Sequence, residues 1–203
     1  IKHTQSRVVA FDINYTENII KEINNIKPNN LYLTKELNDV NEILGGKAEV
    51  VLLLDVLEHI EKPNKLLNKI QKSSTHENTI FIITVPAFQF LYSEHDRRLG
   101  HIKRYTLKSL IQLLKQNNFE ILNKGYAFNT LIIIRLFQIF IEKVFRFDKA
   151  YKTGIQNWKG TPIVTCLLTT YFWIEFKISR YLSRIGIRLP GLTCYCICRY
   201  SPS

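Results

Sequence analysis

One stretch constrains this chain more than any other: Ala48-Glu-Val-Val-Leu-Leu-Leu-Asp-Val-Leu-Glu-His-Ile60. Val50 to Leu54 is an unbroken apolar run that stops at an acid, Asp55. An apolar run without alternation fits a strand covered on both faces, as in a parallel sheet. Ligands of open α/β sheets sit at the carboxyl ends of such strands. That places Asp55, Glu58 and His59 where a ligand would lie. The spacing from Asp55 to His59 puts both on one side of a helical turn. It also allows a purely structural reading, with Asp55 as a helix N-cap and Glu58 as its capping-box partner.

The rest of the chain supplies the neighbours such a strand needs. Arg7 to Asn14 is a shorter apolar run with Asp12 at its carboxyl end. A carboxylate there can accept hydrogen bonds from both hydroxyls of a ribose, or merely cap the next helix. Glu17 to Ile26 carries Ile19, Ile20, Ile23 and Ile26 at helical spacing. Pro28 to Asn30 reads as a turn, Leu31 to Thr34 as a strand, and Asn38 to Leu44 as a weak helix ended by Gly45-Gly46. Pro63 opens a helix with Leu66, Leu67 and Ile70 inward. Residues 72–78 are polar and read as a loop before the strand Thr79 to Val85. Thr106 caps a helix whose inward face is Leu107, Leu110, Ile111 and Leu114, and Phe119 to Phe128 is the next strand. Strand and helix in alternation predict an α/β fold, a parallel sheet with helices on both faces.

Two longer apolar stretches follow, Leu131 to Phe147 and Pro162 to Phe176, the second running into a basic segment that ends at Arg188. Neither offers the ~18 uncharged apolar residues in a row that a spanning helix needs. They are expected to cover the sheet or form a homodimer interface. The alternative is an amphipathic element on a membrane, with Trp158, Trp173, Lys177, Arg180 and Arg184 near the headgroups. The formal net charge of +11 favours an anionic partner, whether a phosphorylated substrate, nucleic acid or an acidic membrane surface. Basic and aromatic residues do not interleave as in single-strand binders, so nucleic acid ranks below the others. Cys194, Cys196 and Cys198 alternate along the last strand, Leu192 to Tyr200, and are expected in the core with Cys166. No disulfide framework is indicated, which favours a reducing compartment.

The densest polar constellation lies between Pro86 and Tyr105, just past a strand's carboxyl end. It holds Tyr92, His95, Asp96, His101, Arg104 and Tyr105. A His beside an Asp can act as a base near neutral pH. His95, Asp96 and His101 could instead ligate zinc, but the spacing is irregular and lacks a fourth ligand, so no metal is expected.

Together, residues 51–60, then Ile-Thr-Val-Pro-Ala (83–87), then the His-Asp, Gly-His and Arg-Tyr-Thr elements of 95–106 resemble the class I S-adenosylmethionine-dependent methyltransferases. They are most similar to bacterial-type members linked with polysaccharide or lipid-linked sugar pathways. The resemblance covers about residues 7–130, and residues 189–199 fit the family's last strand. It implies a Rossmann-like, mostly parallel sheet with the last strand antiparallel. The methyltransferase domain would comprise residues 1–130 and 189–203, with 131–188 as a helical insertion. It further implies S-adenosylmethionine as cofactor, with Asp12 on the ribose, Ile13 against the adenine, and Leu54 and Asp55 lining the methionine portion. His59 would face the transferred methyl group. Tyr92, His101, Arg104 and Tyr105 would form the acceptor wall. His59 or His95 would be the base, Asp96 would orient His95, and Arg104 with Arg97 and Arg98 would hold an anionic group. The acceptor is expected to be a small or lipid-linked molecule. The location is expected to be cytoplasmic, at the inner membrane face if the helical pair touches lipid. The family's first strand and its G-x-G-x-G loop would precede Arg7. Their absence, with no Met even at position 1, leads us to expect further residues upstream. Two other functions stay open at this point: a non-catalytic scaffold with the same fold, and an RNA methyltransferase.

Overall fold

The structure is a computed structural model that describes residues 6–26, 30–145 and 160–201. It opens with strand β1 (Val8–Phe11), helix α1 (Glu17–Ile26) and strand β2 (Leu31–Thr34). A 3-10 turn and the short helix α2 (Val40–Leu44) follow. Gly45 ends α2 at φ 72°, left-handed backbone that glycine adopts freely. Next come strand β3 (Ala48–Leu54), helix α3 (Pro63–Ser74), strand β4 (Thr75–Pro86) and the short helix α4 (Glu94–Arg98). Helix α5 (Leu107–Gln116), strand β5 (Phe119–Ala127), helices α6 (Leu131–Phe145) and α7 (Pro162–Arg184), and strand β6 (Thr193–Tyr200) complete the chain. The expected turn at Pro28 and Asn29, the end of the first apolar stretch at 146–147, and Trp158 lie outside the described residues.

The fold is α/β and Rossmann-like, with the hydrogen-bonded strands in two groups. β1 and β2 pair in parallel, Val8 opposite Leu31. The second group runs β3-β4-β6-β5. β3 and β4 are parallel, while β6 is antiparallel to both its neighbours.

The core lies around β4 and β6. Phe81, Ile83 and Val85 are fully buried on β4, and Cys194, Cys196 and Cys198 on β6. Leu67 of α3 and Leu110 and Leu114 of α5 close over them. Each large side chain so buried is worth about 1.5–3 kcal/mol. Phe81 and Phe119 meet edge to face at 4.7 Å. α5 starts where the sequence says it should. Thr106 Oγ1 accepts from the Ser109 N–H at 3.1 Å, and Ser109 Oγ accepts from the Thr106 N–H at 3.0 Å.

Three sequence expectations need correction. β3 is not covered on both faces: Leu53 is buried, but Val50, Leu52 and Leu54 are each more than half exposed. The loop expected at 72–78 is instead the end of α3 and the start of β4. There polar side chains do ladder-like work: Thr79 Oγ1 donates to the Ala48 carbonyl at 2.6 Å, and Thr75 Oγ1 to that of Gln71 at 2.9 Å. Cys166 is exposed on α7 and is no part of the core.

Glu175 joins α7 to the start of α6 beside the end of β5. The Glu175 carboxylate of α7 accepts from the Asn129 and Thr130 N–H groups and from the Thr130 hydroxyl, which binds the orphan donors at the start of α6. Asn129 Nδ2 donates to the Leu189 and Pro190 carbonyls at 3.1 and 2.8 Å. Gly191 then passes so close to β5 that a Cβ there would stand 2.3 Å from the Ala127 oxygen. Among the described residues no helix is long and apolar enough to cross a membrane.

Candidate active site

Two carboxylates mark the tips of parallel strands. Asp12 follows β1 directly and is exposed. Its backbone N–H donates to the Thr34 carbonyl at 3.1 Å, and its Oδ1 accepts from the Asn14 N–H at 2.9 Å. The cap of α1 falls to Thr16, whose Oγ1 accepts from the Ile19 N–H at 3.4 Å, so Asp12 is not consumed as a helix cap. Beside it Ile13 is 73% exposed, an apolar side chain with nothing over it. Asp55 follows β3 at φ 54°, left-handed backbone that costs a non-glycine residue about 1 kcal/mol or more. Thr84 fixes it there: the Asp55 N–H donates to the Thr84 carbonyl at 3.1 Å, and Thr84 Oγ1 donates to Asp55 Oδ1 at 3.1 Å. The 3-10 turn at Leu57–His59 takes Val56 as its N-cap with no side-chain bond, so Asp55 and Glu58 do not form a capping box.

Asp96 is the hub of the loop beyond β4. It is fully buried. Its Oδ1 accepts from Arg104 Nε at 2.8 Å and from His101 Nδ1 at 2.9 Å. Its Oδ2 accepts from a second Arg104 nitrogen at 3.1 Å and from the Ser93 N–H at 2.9 Å. The Ser93 bond belongs to a capping box that starts α4. From α6, Arg135 approaches Oδ2 at 3.6 Å and donates to Ser93 Oγ. Burial alone would raise the Asp96 pKa, but the hydrogen bonds from Arg104 and His101 outweigh it and hold the carboxyl below its usual range.

Against this hub stand Glu58, His59 and His101. Glu58 is fully buried, and neither of its oxygens has a hydrogen-bond partner among the described residues. Burial pushes its pKa up to about 7; its own backbone N–H and Arg104 pull the other way, while the Asp55 and Asp96 carboxylates add repulsion. Glu58 Oε1 lies 4.0 Å from His101 Nε2. The His59 and His101 rings meet edge to face at 4.8 Å. His59 Nδ1 is 3.2 Å from the Gly100 carbonyl oxygen, which can only accept, so Nδ1 carries the proton and the Nε2 lone pair is left available.

These contacts reassign several candidates. Asp96 orients His101; His95 is not among its described hydrogen-bond partners. His95 is half-buried, and burial together with Arg135 lowers its pKa. Arg104 does not wait for an anion: its guanidinium is taken by Asp96 and by the Ala87 carbonyl at 3.1 Å. Arg97 pairs with Glu94 at 3.0 Å. Tyr105 is core, its hydroxyl donating to the Leu57 carbonyl at 3.1 Å, and burial pushes its pKa up to about 12. Tyr92 donates to the His101 carbonyl at 2.7 Å. The residues expected to line an acceptor therefore form a braced frame, beside which His59 is exposed. Sequence reasoning missed Arg135, Ser93 and the Gln89 oxygen that receives the Arg104 N–H at 2.8 Å. Glu58, which the sequence reading placed beside Asp55 and His59 at the strand's end, is there and fully buried.

An α/β sheet with exposed carboxylates at its strand tips and a polar loop beyond them fits the class to which comparison with known families assigns the chain, the Rossmann-like, S-adenosylmethionine-dependent methyltransferases. Residues 2–124 match a family model described as a methyltransferase domain, and the chain belongs to that family. In structure it resembles a provisional sarcosine dimethylglycine methyltransferase from Galdieria sulphuraria, with TM-score 0.51 and 12% identity over 96% of this chain and 70% of that one. Two others are an S-adenosylmethionine-dependent methyltransferase from Archaeoglobus fulgidus (TM-score 0.47, 14% identity, 94% and 75%) and a provisional methyltransferase from Bacillus halodurans (TM-score 0.47, 14%, 97% and 84%). The first of these likenesses supports the fold. Comparison with curated proteins gives no sequence match. S-adenosylmethionine is the cofactor, and the residues fit it. Asp12 has carboxylate capacity to spare for ribose hydroxyls, and Ile13 and Leu54 offer bare apolar surface beside the two acids.

Proposed function

We propose that the chain transfers a methyl group to a hydroxyl oxygen of a lipid-linked, anionic acceptor at a negatively charged membrane surface on the cytoplasmic side. One observation carries the choice of acceptor. On α7, Ile163, Leu167, Tyr171, Ile174, Ile178 and Tyr181 recur at helical spacing, and each is 46–73% exposed. Trp173, Lys177, Arg180 and Arg184 run down one flank of that stripe, all exposed, with Lys177 5.1 Å over the Trp173 ring. The opposite face packs inward through Ser179 and through Phe176, which meets Tyr195 of β6. An exposed apolar stripe with a basic, Trp-bearing edge is what an interfacial helix presents to lipid. α6 adds Ile133, Phe137 and Phe140, and through Arg135 it reaches the Asp96 hub.

Bound S-adenosylmethionine supplies an activated methyl group. Asp12 and Asp55 orient it at the two strand tips. With the cofactor bound, His59 would accept the acceptor's hydroxyl proton at Nε2. The braced frame of Asp96, Arg104 and His101 holds the loop that carries Gly100, and thereby the tautomer of His59. Vesicle flotation tests the membrane part. The protein is expected to float with anionic vesicles and much less with zwitterionic ones, and Lys177→Glu with Arg184→Glu should abolish flotation. A purely dimeric protein that ignores both vesicle types refutes this reading.

A further inference from the structure

We propose that Glu58, His59 and His101 bind a divalent transition-metal ion, of the zinc, cobalt or manganese kind. One donor atom from each lies within 4.8 Å of the other two. Glu58 supplies the observation that separates this from chance proximity. A fully buried carboxylate with two unpartnered oxygens is costly, since buried charges in proteins are ordinarily paired or coordinate metals. Among the described residues the two imidazoles bring donor atoms within 4.8 Å of it, while Asp55, Asp96 and Arg104 lie close enough to act on its charge.

The surroundings are also those of a ligand set. Metal-bound histidines hand their second N–H to a carboxylate or a carbonyl, which fixes the ring and the tautomer. His101 Nδ1 is bound to Asp96 at 2.9 Å, and His59 Nδ1 to the Gly100 carbonyl at 3.2 Å. Both rings therefore keep the Nε2 lone pair for a ligand. Two imidazoles and one carboxylate from two loops suit zinc and its neighbours rather than calcium or magnesium. Three protein donors leave coordination positions open, and His59 is exposed, so an acceptor hydroxyl can reach them. That hydroxyl would lose its proton more readily on the ion. The loaded ion thus takes over the duty given to His59 above. This role rests on the proposed function; the binding itself does not.

The test is direct titration of the metal-free full chain with Co(II), followed by its visible absorption and by calorimetry, in a Cys166→Ser background. One ion per chain is expected, with a spectrum free of thiolate charge transfer. Glu58→Gln and His101→Ala should each weaken binding at least about tenfold. Glu58→Gln should also leave the metal-free melting temperature near that of the parent while removing the rise that Co(II) gives the parent. Stoichiometric binding that Glu58→Gln leaves unchanged would overturn the proposal, as would no binding at all. Neither result touches His59 as base in the metal-free protein: that reading stands or falls on His59→Ala turnover measured without added metal.

Discussion

Replacing Asp96 by Asn tests the physical reading of the site most sharply. The carboxylate is fully buried and takes two bonds from Arg104, at 2.8 and 3.1 Å, one from His101, and two from Ser93, through its N–H and its hydroxyl. Asn keeps the volume but removes the charge and turns an N–H₂ toward donors. Arg104, whose side chain is only 6% exposed, is left as a buried cation with the Ala87 carbonyl as its remaining acceptor of note. Breaking one side of a buried pair costs about 3–5 kcal/mol. For a chain of this size that corresponds to a fall in melting temperature of about 6–20 °C. The assay is urea unfolding of the metal-free protein followed by circular dichroism, with Arg104→Gln and the double variant completing a cycle. The double variant should cost less than the sum of the singles by about 0.5–3 kcal/mol. The sign with pH follows from the lowered folded pKa: the stabilisation is present above the unfolded carboxylate value and is lost as pH falls through the folded one. A loss below about 1 kcal/mol for Asp96→Asn, or strict additivity, would mean the pair contributes little net stability, as exposed pairs do.

Other outcomes follow from the same contacts. Cys166 should be the single thiol that reacts in the native protein, because Cys194, Cys196 and Cys198 are fully buried, with thiol pKa values pushed up to about 12; a second native-state thiol contradicts the packing of β6. Gly191→Ala should destabilise by about 1–3 kcal/mol through the clash with the Ala127 carbonyl, and a neutral result in thermal melts would mean the β5–β6 approach is looser. His59→Ala should lower kcat by about 10²-fold or more, as loss of a general base does, with His95→Ala costing far less; the reverse order would move the base to α4.

How much of this the sequence carried depended on how local the cause was. α1 and β2 lie where isoleucine spacing and the short Leu-Tyr-Leu-Thr run put them, because those signals need only neighbouring residues. The Thr106 cap and the burial of Cys194, Cys196 and Cys198 were legible for the same reason. The polar start of β4 was not, since Thr75 and Thr79 are held by the distant Ala48 and by Gln71 of the preceding helix. The site was half legible. The residues between Tyr92 and Tyr105 were the right ones, but their partners were not. Asp96 ignores its neighbour His95 and takes His101 and Arg104 across the loop, and Glu58 meets His101 across a separation in sequence that no spacing rule addresses. Nor does composition show that Arg104 is consumed by an internal acid and so is not held for a substrate.

Isothermal titration with S-adenosylmethionine, on the protein and on Asp12→Ala and Asp55→Ala, bears most directly on the central claim that the cofactor lies across the tips of β1 and β3. Binding at one site per chain is predicted, weakened about 10–100-fold by either substitution, the worth of a hydrogen bond to a charged group. Undiminished affinity in both variants would put the cofactor elsewhere.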